Sequence, residues 1–220
     1  MTKQIMIVGV GGQGTLLASR ILGNAVTDAG YDVKVSEVHG MSQRGGSVVT
    51  YVKYGDAVYS PIVDRGTADL ILAFEPLEAY RALPYLKQSG KMIANTQQID
   101  PMPVIIGAMA YPEHICEKLD AVCDLTAVDA LQLAVQAGSQ KCVNVVLIGV
   151  MAKSTEIPYE KWLETIRNTV PAKFLDMNLK AFELGYQAAK SFDLLNHLSR
   201  KASLFLWNDW LFSTNRRCFL

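Results

Sequence analysis

Ile5-Met6-Ile7-Val8-Gly9-Val10-Gly11-Gly12-Gln13-Gly14 leads directly into Leu16-Leu17-Ala18-Ser19-Arg20-Ile21-Leu22. The first apolar run reads as a buried strand and the second as a helix, so the chain passes from one to the other through glycines. The spacing is Gly9-x-Gly11-x-x-Gly14. In that pattern the first glycine permits a tight turn, the second lets the backbone approach a ligand, and the third lets the helix pack close to the strand. The amides at the new helix N-terminus carry partial positive charge and suit a phosphate or diphosphate. Gly12 and Gln13 are departures from the plain pattern.

Outward from this stretch, the first helix is expected to stop at Ala29-Gly30. Tyr31 to Val38 then alternates as a second strand, completing a βαβ unit. Glu37 falls near the distance at which dinucleotide-binding folds place the acid that holds the adenosine ribose. The next residues do not suit such a fold. His39-Gly40-Met41-Ser42-Gln43-Arg44-Gly45-Gly46 is a second glycine-rich loop, with a cation, where a helix would be due. Ser47 to Tyr54 alternates again, and Gly55-Asp56 is expected to turn it into an antiparallel strand at Ala57 to Pro61, making the sheet mixed.

Ala68 to Phe74 reads as a buried strand ending in Glu75-Pro76. Leu77 to Leu86 reads as a helix split by its internal proline and stopped by Gly90. Lys91 to Thr96 is expected as a strand and Met102 to Ile106 as an edge strand. A short helix at Pro112 to Leu119, a strand at Ala121 to Leu125 and a helix from Ala127 to Ala137, closed by Gly138, follow. Val143 to Ala152 is apolar on all sides, hence a buried helix opening near Asn144. Amphipathic helices at Tyr159 to Thr169 and from about Met177 to Lys190 complete an α/β class domain. Its expected form is a three-layer α/β/α Rossmann-like fold with a mixed, mostly parallel sheet, spanning residues 1–190.

Residues 191–220 differ in character, with Trp207, Trp210, Phe205, Phe212 and Phe219 among leucines and scattered arginines. This aromatic-rich tail is expected to pack as a helix on its own domain or on a neighbouring subunit. A membrane-surface helix is the sharper alternative.

Of the 220 residues 50% are hydrophobic, which suits a large core and some apolar surface left for a partner. The 21 Lys and Arg balance the 21 Asp and Glu, which argues against nucleic acid or an anionic membrane as partner. The chain enters a strand without a basic leader and has no long apolar run, so the expected location is the cytoplasm. The 4 cysteines, Cys116, Cys123, Cys142 and Cys218, form no C-x-x-C pair and read as buried reduced thiols; no metal site is expected. No nucleophile–base arrangement assembles, so no catalytic residue is assigned.

What remains is two anion-friendly loops expected at the carboxyl ends of neighbouring strands. The first offers amides. The second offers Arg44, whose planar donors suit phosphate or carboxylate, with His39 and Gln43 as further donors.

Val8-Gly9-Val10-Gly11-Gly12-Gln13-Gly14, followed by Ser36-Glu37-Val38-His39-Gly40-Met41-Ser42-Gln43-Arg44-Gly45-Gly46-Ser47-Val48-Val49, resembles the gamma-type domain of 2-oxoacid:ferredoxin oxidoreductases, and its indolepyruvate branch most closely. The resemblance covers about residues 3–190, including Asn144-Val145-Val146-Leu147-Ile148-Gly149. It implies that thiamine diphosphate, magnesium and 4Fe-4S clusters belong to a large catalytic partner subunit, which reduces ferredoxin, while this domain covers the active site and binds coenzyme A. The binding residues implied are Gly9, Gly11, Gly12, Gln13, Gly14 and Asn144, with Arg44 as the basic contact by chemical analogy. Deprived of its partner, such a chain is expected to self-associate as a homodimer. Two other readings stay open on the residues alone: a stand-alone nucleotide-binding regulatory or scaffold module, and an NAD-dependent dehydrogenase using Glu37.

Overall fold

The computed structural model describes residues 2–39 and 45–196, with side chains to residue 189. In chain order the elements are β1 (Lys3–Val10), α1 (Thr15–Asp28), β2 (Asp32–His39), β3 (Ser47–Gly55), β4 (Ala68–Ala73), α2 (Pro76–Ala82), β5 (Leu86–Asn95), α3 (Met102–Ile105), α4 (Ile115–Asp120), β6 (Asp124–Val128), α5 (Ala130–Ala137), α6 (Val143–Ala152), α7 (Tyr159–Thr169) and α8 (Leu175–Asn196).

The sheet order is β2-β3-β1-β4-β5-β6. β1, β4, β5 and β6 are mutually parallel, while β3 runs antiparallel to both β1 and β2. Successive residues of β1 serve opposite faces, as the strand period requires. Ile5 and Ile7 join the core built with α1, α5, α6, α7 and α8, whereas Met6 and Val8 join the one built with α2 and α4. The expected three-layer α/β/α arrangement with a mixed, mostly parallel sheet is what the chain forms.

The mixed character has a different origin from the expected hairpin. β3 is paired on both sides, by β1 and by β2, so no ladder edge is left for Ala57 to Pro61. That segment is irregular, with Val58 N–H held by the Asp32 carboxylate at 2.8 Å. Gly90 ends no helix. It lies inside β5, where a Cβ would meet the Ala68 oxygen at 2.8 Å, beside the register shift between Ala68 and Leu70. Met102 to Ile106 is not an edge strand but the one-turn helix α3, since Pro101 and Pro103 sit at its start, where a missing amide costs nothing. β6 begins three residues later than the expected Ala121. α5 likewise starts at Ala130, because the Asp129 side chain caps it by accepting from Gln132 N–H at 2.9 Å.

All ten residues of α6 are buried. Its long neighbour α8 crosses it at backbone contact. A Cβ on Gly149 would lie 2.2 Å from the Phe182 oxygen, and one on Gly185 would lie 2.0 Å from the Val146 oxygen. α8 runs past the expected end at residue 190 to Asn196, and the tail from 197 onward lies outside the described residues.

Candidate functional site

Because β1, β2, β4, β5 and β6 all point one way, their carboxyl ends share an edge, and the loops after β1 and β2 meet there. Gly11 N–H donates to the Gly46 oxygen at 2.9 Å, and Gly45 N–H returns a bond to the Gly11 oxygen at 3.3 Å. The antiparallel β3 makes this possible, since its first residue, Ser47, pairs with Val10.

Each glycine of the first loop does a separate job. At Gly9 a Cβ would fall 2.9 Å from both Gln13 Oε1 and Phe74 Cβ, so the strand end is closed around it. Gly11 is committed to the second loop. Gly14 adopts φ +83° at the start of α1, and a Cβ there would sit 2.7 Å from Asn144 Nδ2. The expected helix-to-strand contact at this third glycine is therefore a contact with a side chain from α6. Gly12, at φ +105°, has nothing within 4 Å of its missing Cβ and faces open space.

Gln13 and Asn144 brace this loop from behind. Gln13 Oε1 accepts from Val10 N–H at 2.7 Å and its Nε2 donates to the Phe74 oxygen at 2.9 Å. Asn144, 4% exposed, donates from Nδ2 to the Gly14 oxygen at 3.3 Å. With the loop so held, the N–H groups of Gly12, Gly14, Thr15 and Leu16 have no acceptor among the described residues. They form an amide cluster at a helix N-terminus, the arrangement that binds anions. His39 ends β2 on the same edge, exposed and opposite Val48. Gln43 and Arg44 lie outside the described residues.

Sequence reasoning missed the polar network on the other side of the crevice. Phe74 O accepts from both Gln13 Nε2 and Asn95 Nδ2, the latter at 3.2 Å, so both its lone pairs are used. Asn95, fully buried, also accepts from Ala130 N–H at 3.1 Å, tying the ends of β4 and β5 to the start of α5. Glu75, 1% exposed, caps α2 by accepting from Glu78 N–H at 3.0 Å, and further accepts from Ile99 N–H and the Tyr111 hydroxyl. Glu78 accepts from Ser47 Oγ and from Arg81, each at 2.5 Å. The signal was present as an acid before a proline at a strand end, an N-cap signature. Val10, Gly45, Ser47, Glu75 and Glu78 line a recess of about 20 Å³ at this edge.

Burial pushes the Glu75 carboxyl above its usual 4.5, against the hydrogen bonds that favour its charged form. The folded protein then holds a proton that the unfolded chain releases. Its contribution to stability is full below pH 4.5 and is lost as pH rises through the folded-state value. Urea unfolding across pH 4 to 7 should show wild type losing stability relative to Glu75→Gln as pH rises; parallel curves would rule this out.

Burial raises the thiol pKa of Cys116 and Cys142, and burial followed by Asp124 and Asp120 pushes Cys123 up to about 12. Among the described residues no group of three or more His, Cys, Asp or Glu is assembled to hold a metal ion, and no helix is long and apolar enough to cross a membrane.

The model of the Pyruvate ferredoxin/flavodoxin oxidoreductase family matches residues 4–188. The chain belongs to that family. It is 46% identical over 200 residues to indolepyruvate oxidoreductase subunit IorB of Pyrococcus horikoshii, covering 87% of this chain and 97% of the relative. It is 29% identical over 192 residues to ketoisovalerate oxidoreductase subunit VorA of Methanothermobacter marburgensis, covering 85% of this chain and 36% of the relative. Among solved structures, the 2-oxoglutarate:ferredoxin oxidoreductase of Magnetococcus marinus, with 2-oxoglutarate, coenzyme A and succinyl-CoA bound, matches with TM-score 0.68 at 19% identity. That match covers 86% of this chain and 31% of the other, and shows the shared fold.

Membership in the oxidoreductase family does not bring the nicotinamide reading with it. β3 separates β2 from β1, so Glu37 lies two strands from the glycine loop, about 10 Å by strand spacing. Its carboxylate accepts from Thr50 Oγ1 at 3.4 Å instead.

Proposed function

We propose that the chain is a subunit of a thiamine-dependent 2-oxoacid:ferredoxin oxidoreductase acting on an arylpyruvate, indolepyruvate foremost, in the cytoplasm. A large partner carries thiamine diphosphate, magnesium and the 4Fe-4S clusters. It performs decarboxylation and passes two electrons to ferredoxin, while this chain covers the site and holds coenzyme A, which leaves as the acyl thioester. The likeness to IorB over nearly its whole length supports the substrate class.

The observation that carries the coenzyme A assignment is the mutual bonding of the two glycine loops, with the amides of Gly12, Gly14, Thr15 and Leu16 left without an acceptor among the described residues. A diphosphate suits those amides, and Arg44 in the second loop supplies the matching cation. His39 and Gln43 add donors. Gly9, Gly11, Gln13 and Asn144 act by holding the cradle in shape. In this division of labour the chain binds and orients, and excludes water from the partner's site.

Calorimetric titration of coenzyme A into the co-purified complex tests the assignment. Arg44→Ala removes a charge-assisted contact, and Gly12→Ala puts a methyl group into the open side of the loop. Each should weaken binding on the order of tenfold or more. Unchanged affinity in both would reject the cradle. Turnover of indolepyruvate by the purified chain alone, with an electron acceptor, would reject the division of labour.

A further inference from the structure

Met102, Ile105, Ile106 and Met109 are 67%, 66%, 71% and 65% exposed, four large apolar side chains within eight residues. Such a concentration on one short segment is costly to leave in water and marks an interaction surface. The segment is nonetheless internally ordered. Ile105 N–H donates to the Pro101 oxygen at 3.1 Å, Ile106 N–H to Met102 at 3.0 Å, and Ala108 and Met109 N–H both reach the Pro103 oxygen, at 2.9 and 3.1 Å. Gly107, at φ +74°, provides the turn that closes it.

Its base is fixed at both ends by one buried group. Ile99 N–H donates to Glu75 from the near side and the Tyr111 hydroxyl donates to Glu75 from the far side, so a carboxylate rooted at the end of β4 holds both stems. The apolar tip is thus presented in a set shape, which lowers the ordering cost of binding.

We infer that the protrusion formed by residues 101–109 is the docking element by which this chain seats in an apolar groove of the catalytic partner subunit. The inference rests on the function proposed above. Its occupant is argued from two observations. The protrusion follows β5 on the carboxyl edge, and its first residue, Pro101, lines one recess with Val10, Gly45 and Ser47, so a partner seated on it would lie next to the cradle. VorA matches this chain over 36% of its own length, so there the counterpart of this chain shares one polypeptide with a larger remainder. A neutral, apolar tip matches a dry groove rather than a charged surface.

The test is assembly of the full chain with the large subunit from the native source, followed by sedimentation. Ile105→Asp combined with Ile106→Asp should weaken the complex on the order of 100-fold, because such anchors dominate interfaces. Unchanged circular dichroism would show that the exposed positions leave the fold intact. Val135→Asp on α5, also at an exposed apolar position, should assemble as wild type does. Normal assembly of the Ile105/Ile106 variant overturns the inference and leaves the proposed function standing. Loss of a homodimer with assembly retained assigns the surface to a second copy and also overturns it. Failure of the wild-type chain to assemble overturns the proposed function itself.

Discussion

Gly185→Ala should lower the unfolding free energy on the order of 2 kcal/mol, and Gly185→Val by more. In an exposed helix, alanine in place of glycine would stabilise by about 1 kcal/mol. Here the added methyl group would stand 2.0 Å from the Val146 oxygen and 2.9 Å from its carbonyl carbon, backbone atoms that cannot swing aside. Gly149 meets the Phe182 oxygen across the same crossing at 2.2 Å, so the helices are held together from both sides. α6 has no free direction to retreat, since every one of its residues is buried. Overpacking therefore outweighs propensity. The consequence reaches the site, because Asn144 lies in the first turn of α6 and bonds the Gly14 oxygen. On the function proposed above, coenzyme A affinity of the assembled complex should fall along with stability. Urea denaturation reads the first effect and calorimetry the second, and a variant as stable as wild type would show that the helices do not meet at backbone contact.

Trp162→Ala should cost about 3–5 kcal/mol, whereas Trp162→Phe should stay within about 1 kcal/mol of wild type. Trp162 is 0% exposed and its ring lies stacked 6.4 Å from that of Phe182, joining α7 to α8. Alanine leaves a cavity at that junction. Phenylalanine keeps a ring in it and also removes Nε1–H, a buried donor without a partner among the described residues. Losing an unsatisfied donor offsets part of the lost contact area. Thermal unfolding of the two variants should separate them widely, and equal losses would show that indole volume alone matters.

Much of this architecture was legible locally. The run Ile5 to Val8 could only be a buried strand. Tyr159 to Thr169 matches α7 residue for residue because a proline opens it and its apolar positions recur at helical spacing. The stretch at Val143 was read as a buried helix for a different reason, that it is apolar on all sides over ten residues. Where neighbours decided, local reading failed. Ala57 to Pro61 carries strand-like residues but found no free edge, and Met102 to Ile106 carries strand-forming side chains that sit exposed on a helical turn. At the site, the two glycine loops were visible as loops, whereas the buried Glu75, Glu78 and Asn95 were not, because burial of a polar residue depends on partners far away in the chain.

Taken by itself, then, the sequence determined the strand–glycine–helix opening, the alternation of strands with helices and the two glycine-rich stretches that follow β1 and β2. Those follow from side-chain period and glycine's backbone freedom, which act over a few residues. Only the tertiary structure decided that β3 separates β1 from β2, that Gly11 and Gly46 pair, and that Gln13 and Asn144 bond the backbone around the loop. Each of those outcomes depends on which distant groups arrive to satisfy a buried donor or acceptor, and no local pattern carries that information.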